Sequence, residues 1–89
     1  MDTSWRLKMV ELFKARQLRE ARKLIIANCR VDEYEEMYRW LYKNVDMFSD
    51  NEDKQDEAVV VIRNSIVKHT QVADPEINLS ATLIELNNL

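Results

Sequence analysis

Apolar side chains recur along this chain at intervals of three and four residues, the spacing that places them on one face of an α-helix. The β-branched run 58–62 is compatible with a strand on propensity alone. However, Ala58, Ile62 and Ile66 keep helical spacing, and no turn residues for a hairpin flank the run. The pattern therefore predicts an all-α fold, a compact bundle of about five helices with short connections.

Helix boundaries follow from breaks in the pattern and from capping residues. Starts are predicted after Asp2 or Thr3, near Gln17, at a capping box Asp32–Glu35, near Glu52 after a second capping box Ser49–Glu52, and at Asp74-Pro75. A break is predicted at Lys14–Arg16, and the Val59–Val61 run is expected to be buried on several sides. The predicted core positions of the first three helices are Trp5, Met9, Leu12 and Phe13; Leu18, Ala21, Ile25 and Cys29; and Tyr34, Met37, Tyr38, Leu41, Tyr42 and Val45.

The last helix carries two apolar stripes where a surface helix needs only one. One stripe is Ile77, Ala81, Ile84 and Asn88, and the other is Leu79, Leu83, Leu86 and Leu89. One stripe can pack in the bundle while the other meets a neighbouring subunit; alternatively, the helix lies in a groove and buries both. The candidate subunit interface is Leu79, Leu83 and Leu86, together with Trp40. The alternative for Trp40 is that it covers a seam between helices of its own bundle. Charged substitutions at Leu83 or Leu86 are then expected to disrupt assembly more than folding.

The composition excludes several classes of protein. The 89 residues suit one domain, and they include no glycine where roughly six would be usual. Phosphate-binding loops and nucleophile elbows require glycine, so a stand-alone nucleotide-binding enzyme is not expected. No apolar run approaches the length of a membrane span. The N-terminus does not resemble a secretory signal, and a single cysteine fits a reducing environment, so a cytoplasmic location is expected.

Charge is unevenly distributed along the chain. Residues 1–30 hold eight Lys and Arg against three acids (+5), and residues 31–89 hold five against thirteen (−8), which gives the net charge of −3. Arg16, Arg19 and Lys23 form a basic row on the second helix that could contact either phosphates or an acidic neighbouring subunit. The charge distribution leaves both readings open.

No constellation of residues typical of catalysis or metal binding is present in the sequence. The single histidine, His69, has no carboxylate or cysteine at ligand spacing, and is predicted to have a packing or interface role. Cys29 is predicted to be an ordinary core thiol, although Arg30 could lower its pKa. The acidic stretch 46–56 lacks the spacing and the glycine of a calcium loop. We therefore predict no catalytic, cofactor-binding or metal site, and no enzyme activity.

Three stretches, in order, resemble the C-terminal collar domain of clamp-loader ATPase subunits, namely replication factor C small subunits and, more closely, bacteriophage clamp-loader large subunits. They are "LFKARQLREARKLI", with Leu18, Ala21, Arg22 and Leu24 in the matching places, "EYEEMYRWLYKNV", and "AVVVIRNSIVKHTQVADPEINLSATLIELNNL". The likeness covers most of residues 5–89. The chain departs from the family at 72–75, where the family has a small or glycine-containing break.

The resemblance implies that residues 1–89 are a single helical collar domain from the C-terminal part of a longer AAA+ ATPase subunit. Its partners would be other clamp-loader subunits, held in a ring, with weak self-association of the chain itself. ATP and Mg²⁺, the sliding clamp and primer–template DNA would be bound by modules outside this stretch, in the host cytoplasm if the protein is phage-encoded. The alternative is a small helical nucleic-acid-binding or regulatory protein that uses the basic first third.

Overall fold

Every regular element in residues 4–89, the part of the chain that the computed structural model describes, is helical. The α-helices are α1 (Ser4–Lys14), α2 (Leu18–Asn28), α3 (Tyr34–Lys43), α4 (Glu52–His69) and α5 (Pro75–Asn87), with 3₁₀ turns at Val31–Glu33 and Val45–Met47. The predicted all-α bundle is confirmed, and the run 58–62 is helical. The predicted caps at Asp2 and Thr3 lie outside the described residues.

The first turn of the chain is made without glycine. α1 ends at Lys14, and Arg16 takes the left-handed conformation with φ of 61°. The Arg16 N–H donates to the Phe13 carbonyl (3.0 Å), and the Gln17 N–H donates to the Leu12 carbonyl (2.9 Å). These two hydrogen bonds together define a Schellman motif. The predicted break is confirmed, at a position where a residue with a Cβ costs roughly 1–2 kcal/mol.

The start of α5 follows its local sequence. The Asp74 carboxylate accepts the N–H groups of Glu76 (3.0 Å) and Ile77 (3.4 Å), and Pro75 occupies the first helical position. Both groups would otherwise lack a helical partner, so this cap is confirmed with the geometry that the sequence predicts.

The two predicted capping boxes are wrong in position. Before α3, the Glu33 carboxylate accepts the Arg30 N–H (2.9 Å), because Val31–Glu33 forms a 3₁₀ turn that precedes the helix. Before α4, the N-cap is Asn51, whose side chain accepts the Lys54 N–H (3.1 Å). Asn caps as well as Ser and stands directly before the acidic first turn, so the cap lies two residues after the predicted Ser49, whereas the predicted start of α4 near Glu52 is confirmed.

The core forms one cluster to which all five helices contribute. α1 packs on α2, α3 and α5 pack on α4, and α2 also contacts α5. The buried apolar residues of this core are Met9, Val10, Phe13, Ala21, Ile25, Tyr34, Met37, Tyr38, Leu41, Ile62, Leu79 and Leu83.

Two core predictions are wrong. Tyr42 is exposed, because it stands two turns after Tyr34 and the apolar stripe has drifted from the core by then. Val60 is also exposed, because α4 packs through one side only and consecutive residues of a helix point in different directions. No helix within residues 4–89 combines the length and apolar character that crossing a membrane requires.

Candidate subunit interface

The two stripes of α5 have opposite environments. Leu79 and Leu83 are 0% and 2% exposed, and Leu86 packs against the same core. Ile77 and Ile84, by contrast, are 68% and 53% exposed. The prediction that Leu79, Leu83 and Leu86 form a subunit interface is therefore wrong in its choice of face, because these leucines fill the core of their own bundle. The outward stripe is Ile77, Ala81 and Ile84.

A polar cluster on the inner side of α5 explains this orientation. The hydroxyls of Ser65 and Thr82 are 2.6 Å apart and hydrogen-bonded, and the Asn78 side-chain amide donates to the Ser65 carbonyl (3.1 Å). The second N–H of that amide reaches the Tyr38 hydroxyl at 3.5 Å. Since buried polar groups are tolerated where they find partners, Asn78 and Thr82 can share the core face with the leucines.

Sequence reasoning missed this polar cluster. The signal available was the spacing of Asn78 and Thr82, four residues apart and on the leucine side of the helix. The partner residues on α3 and α4 are 13 to 40 positions away in sequence, so the pairing itself could not be read from the chain.

The basic residues of α2 border the outward stripe of α5. The Arg22 guanidinium donates to the Ser80 hydroxyl (3.3 Å) and joins the two helices. A shallow groove between the helices is lined by Arg19 and Arg22 on one side and by Ser80 and Ile84 on the other. We call this surface the α2–α5 face; it consists of Arg19, Arg22, Lys23, Ile77, Ala81 and Ile84.

The three predicted basic residues differ in their local partners. Arg16, Arg19 and Lys23 are all exposed. The Lys23 ammonium lies 3.5 Å from the Glu20 carboxylate, whereas Arg16 and Arg19 form no ion pair within residues 4–89. Their charge is therefore available to an acidic partner or to phosphate.

Trp40 does not join the α2–α5 face. It is half-buried against the core, and the Arg6 guanidinium lies 5.5 Å from its ring centroid, within cation–π distance. The same guanidinium lies 5.7 Å from the Trp5 ring. Trp40 therefore covers the seam between α1 and α3, as the alternative reading of the sequence expected, and the interface prediction for it is not supported.

The residues with reactive side chains are embedded in packing contacts. The His69 ring packs near the rings of Tyr34 and Tyr38, with centroids 6.2 and 6.0 Å away, and its buried Nδ1 lacks a hydrogen-bond partner in residues 4–89. Burial raises the pKa of the Cys29 thiol, with Glu33 adding to the shift, so the suggested lowering by Arg30 is wrong. This cysteine is protonated at neutral pH.

Two other clefts contain ionisable side chains. One, between α1, the first 3₁₀ turn and α3, is lined by carboxylates and cations, of which Arg39 and Glu35 are paired at 2.8 Å: Arg6, Asp32, Glu35, Glu36, Arg39 and Lys43. The other, a cleft of about 170 Å³ between the ends of α1, α4 and α5, has an apolar floor and, among its ionisable side chains, only Lys14, Arg16 and Lys54. In the described part of the chain, no three His, Cys, Asp or Glu side chains come together as a metal site would require. The α2–α5 face differs from both clefts because it combines an exposed isoleucine, Ile84, with an arginine, Arg19, that forms no ion pair in residues 4–89.

Comparison of the chain with protein-family models, curated proteins and solved structures finds no match. The functional interpretation accordingly rests on the residues of this chain and on their arrangement.

Proposed function

We propose that this chain is a subunit-assembly domain, the collar of a clamp-loader subunit, and that the α2–α5 face is one of its contact surfaces. The observation that carries the proposal is the outward stripe of α5: its two isoleucines are more than half exposed, and one of them, Ile84, lines a groove with Arg19 and Arg22 of α2. Such a combination of apolar centre and charged margin is typical of surfaces that bind another protein.

The expected strength of the contact is modest. Complete burial of an Ile side chain contributes about 1.5–3 kcal/mol, and these two are already partly covered. Two isoleucines with a few charges therefore suit a contact that is weak in isolation and is strengthened when several subunits join one assembly. A collar in a ring of subunits has that character.

The clamp-loader assignment is supported by the resemblance of the three stretches quoted above and by the order of the helices that contain them. The ATPase chemistry, with ATP and Mg²⁺, and the contacts with sliding clamp and primer–template DNA would belong to other modules. The collar itself would perform no catalysis. Its role would be to hold neighbouring subunits in the order in which they load the clamp.

A second candidate function has one observation in its favour. Arg16 and Arg19 are exposed and lack an ion-pair partner in the described residues, which suits contacts with phosphates. A nucleic-acid-binding protein would bind DNA as the isolated chain, with an affinity that falls steeply as salt rises.

One set of measurements distinguishes the two. Sedimentation equilibrium of the chain over a range of concentrations should show association, weaker for Ile77→Thr/Ile84→Thr and unchanged for Leu7→Thr, an exposed apolar control on α1. Fluorescence anisotropy with a labelled primer–template duplex should show only weak binding. Tight, salt-dependent DNA binding by a strict monomer would refute the assembly proposal and favour the alternative.

A further inference from the structure

α4 carries a second unpartnered surface, distinct from the α2–α5 face. Its outward residues recur at steps of four and three, and all are exposed: Asp53, Glu57, Val60, Asn64 and Val67. This spacing places them along one side of the helix. We call this surface the α4 strip; it is acidic at its first turns, and beyond them Val60 and Val67 lie on either side of Asn64, whose side chain accepts a hydrogen bond from the adjoining Arg63 (3.4 Å).

The two valines of the α4 strip are unfavourable for helix stability at their exposed positions. Val60 and Val67 are 49% and 52% exposed. A β-branched side chain loses rotamer freedom in a helix, and an exposed position returns no packing for that loss. Local rules broken at an exposed site point to a function at that site, and the simplest here is burial by a partner.

The acids of the α4 strip are equally unpartnered. All the ion pairs of residues 4–89 lie between Lys8 and Arg39, so neither Asp53 nor Glu57 takes part in one. Asp53 lies in the first turn and benefits from the helix dipole. Glu57 lies beyond that turn, where the effect of the dipole has faded, so within residues 4–89 its charge is stabilised neither by an ion pair nor by the helix dipole.

The α4 strip and the α2–α5 face match in charge and in spacing. The strip offers Glu57, an acid without an ion pair in residues 4–89, and the α2–α5 face offers Arg19, a cation without one. Each surface also carries two exposed β-branched residues seven positions apart, about 10.5 Å along a helix. We infer that the α4 strip is the docking site for the α2–α5 face of a second copy of this chain.

This inference rests on the proposed assembly function and deepens it by naming the partner surface. Because the two surfaces are different, the contact is heterologous: each copy uses one surface toward one neighbour and the other surface toward the next. Repetition gives a ring or a chain of subunits, in which every copy has both surfaces covered.

The positions of the charges indicate a register. Arg19 and Ile84 line the same groove, and Glu57 stands one turn before Val60. Placing Val60 against Ile84 therefore brings Glu57 to Arg19, and it leaves Val67 opposite Ile77. In this arrangement α4 of one copy runs antiparallel to α5 of the next.

A charge-swap experiment tests the pairing of the two surfaces. Variant A carries Glu57→Lys, variant B carries Arg19→Glu, and a control carries Lys8→Glu on a helix outside both surfaces. Association of A alone and of B alone should weaken about tenfold or more, because like charges then meet at the contact. An equimolar mixture of A and B should recover association, and the control should retain it.

Folding and the apolar contact are checked separately. Circular dichroism establishes that each variant keeps its helix content; if variant A does not fold, Val60→Thr/Val67→Thr replaces it, because threonine preserves the shape of valine. That variant should associate about tenfold more weakly than the wild type, as expected for the loss of two apolar contacts.

The outcomes separate the inference from the proposed function. If the wild type and Val60→Thr/Val67→Thr associate equally, and mixing A with B restores nothing, the α4 strip is not the docking site. In that case loss of association in Ile77→Thr/Ile84→Thr still supports the assembly function. If the wild type shows no association at any concentration, the proposed function fails and this inference fails with it.

Discussion

The two sides of α5 differ less in hydrophobicity than in what surrounds them. The inner side holds Leu79 and Leu83 together with two polar residues, Asn78 and Thr82, and all four are buried. The outer side holds two isoleucines that are mostly exposed. A ranking by hydrophobicity alone would leave the choice of core side undecided, since both sides carry large aliphatic residues.

This difference shows that the burial of a side chain on α5 depends on the groups that neighbouring helices present to it. Asn78 and Thr82 are buried because α3 and α4 present hydrogen-bonding groups to them, which offsets the cost of removing polar atoms from water. Ile77 and Ile84 remain exposed because no helix within residues 4–89 covers them. The first side of α5 is thus completed by folding, and the second side is available for assembly.

Replacement of Leu83 should give the largest effect on folding. Leu83→Ala should lower the free energy of unfolding by about 2–5 kcal/mol, because it leaves a cavity among buried side chains. Ile84→Ala, the adjacent residue on the other side, is the control and should cost under about 1 kcal/mol. Urea denaturation followed by circular dichroism measures both. Equal costs would contradict the assignment of the two sides, and Leu83→Asp should unfold the chain rather than only impair assembly.

Loss of the buried hydroxyl should have the next largest effect. Thr82→Val keeps the side-chain shape but leaves Ser65 and Asn78 with one partner fewer, so the free energy of unfolding should fall by about 1–2 kcal/mol. The control is Thr70→Val, whose exposed hydroxyl bonds the Val67 carbonyl at the end of α4. Chemical denaturation should show little change for this control. If Thr82→Val left the free energy of unfolding unchanged, the polar cluster would not be what positions α5.

The same cluster predicts a dependence on alkaline pH. Burial raises the pKa of Tyr38 to about 12, although hydrogen bonds with Thr82 and Asn78 act in the opposite direction. The unfolded chain then loses this proton first, so stability is complete below the ordinary tyrosine pKa of about 10 and falls as pH rises toward about 12. The loss should be on the order of 1 kcal/mol. Tyr34, whose pKa is also raised by burial, acts in the same direction.

Denaturation midpoints at several pH values between 9 and 11.5 would measure this slope. Tyr38→Phe should make it shallower, whereas Tyr42→Phe, at an exposed position of the same helix, should leave it unchanged. An identical slope in all three proteins would show that the Tyr38 hydroxyl is not kept protonated by the fold.

The outer side of α5 should give the smallest effect on folding. Ile84→Thr should change the free energy of unfolding by no more than about 0.5 kcal/mol, because the side chain is largely in water and both residues are β-branched. Measured at low protein concentration, where association is negligible, this value isolates the folding of the monomer. A loss comparable to that of Leu83→Ala would mean that this side is also packed.

Much of the bundle follows from local sequence. The helical spacing of Met9 and Phe13, of Ala21 and Ile25, and the Asp74-Pro75 cap each predict what the structure contains, because capping and amphipathic periodicity act within a few residues. The start of α4 near Glu52 was also predicted, but its cap was assigned to Ser49 instead of Asn51, since neighbouring Ser and Asn residues are both good caps.

The candidate site was less accessible to sequence reasoning. The basic residues Arg16, Arg19 and Lys23 were identified, and all are exposed. The apolar part was assigned to the wrong stripe, and Val60 was expected to be buried. Both errors concern which side of a helix has a neighbour, and that depends on the directions in which the other helices pack.

Helix positions, the short connections and the acidic and basic segments are properties of neighbouring residues, and the chain specifies them directly. The orientation of α5, by contrast, is not determined by neighbouring residues in the sequence. It depends on hydrogen bonds from Asn78 and Thr82 to groups 13 to 40 residues away, and those groups meet only after α3 and α4 have packed. Because burial is a property of three-dimensional neighbours, the surface left for a partner becomes visible only in the folded bundle.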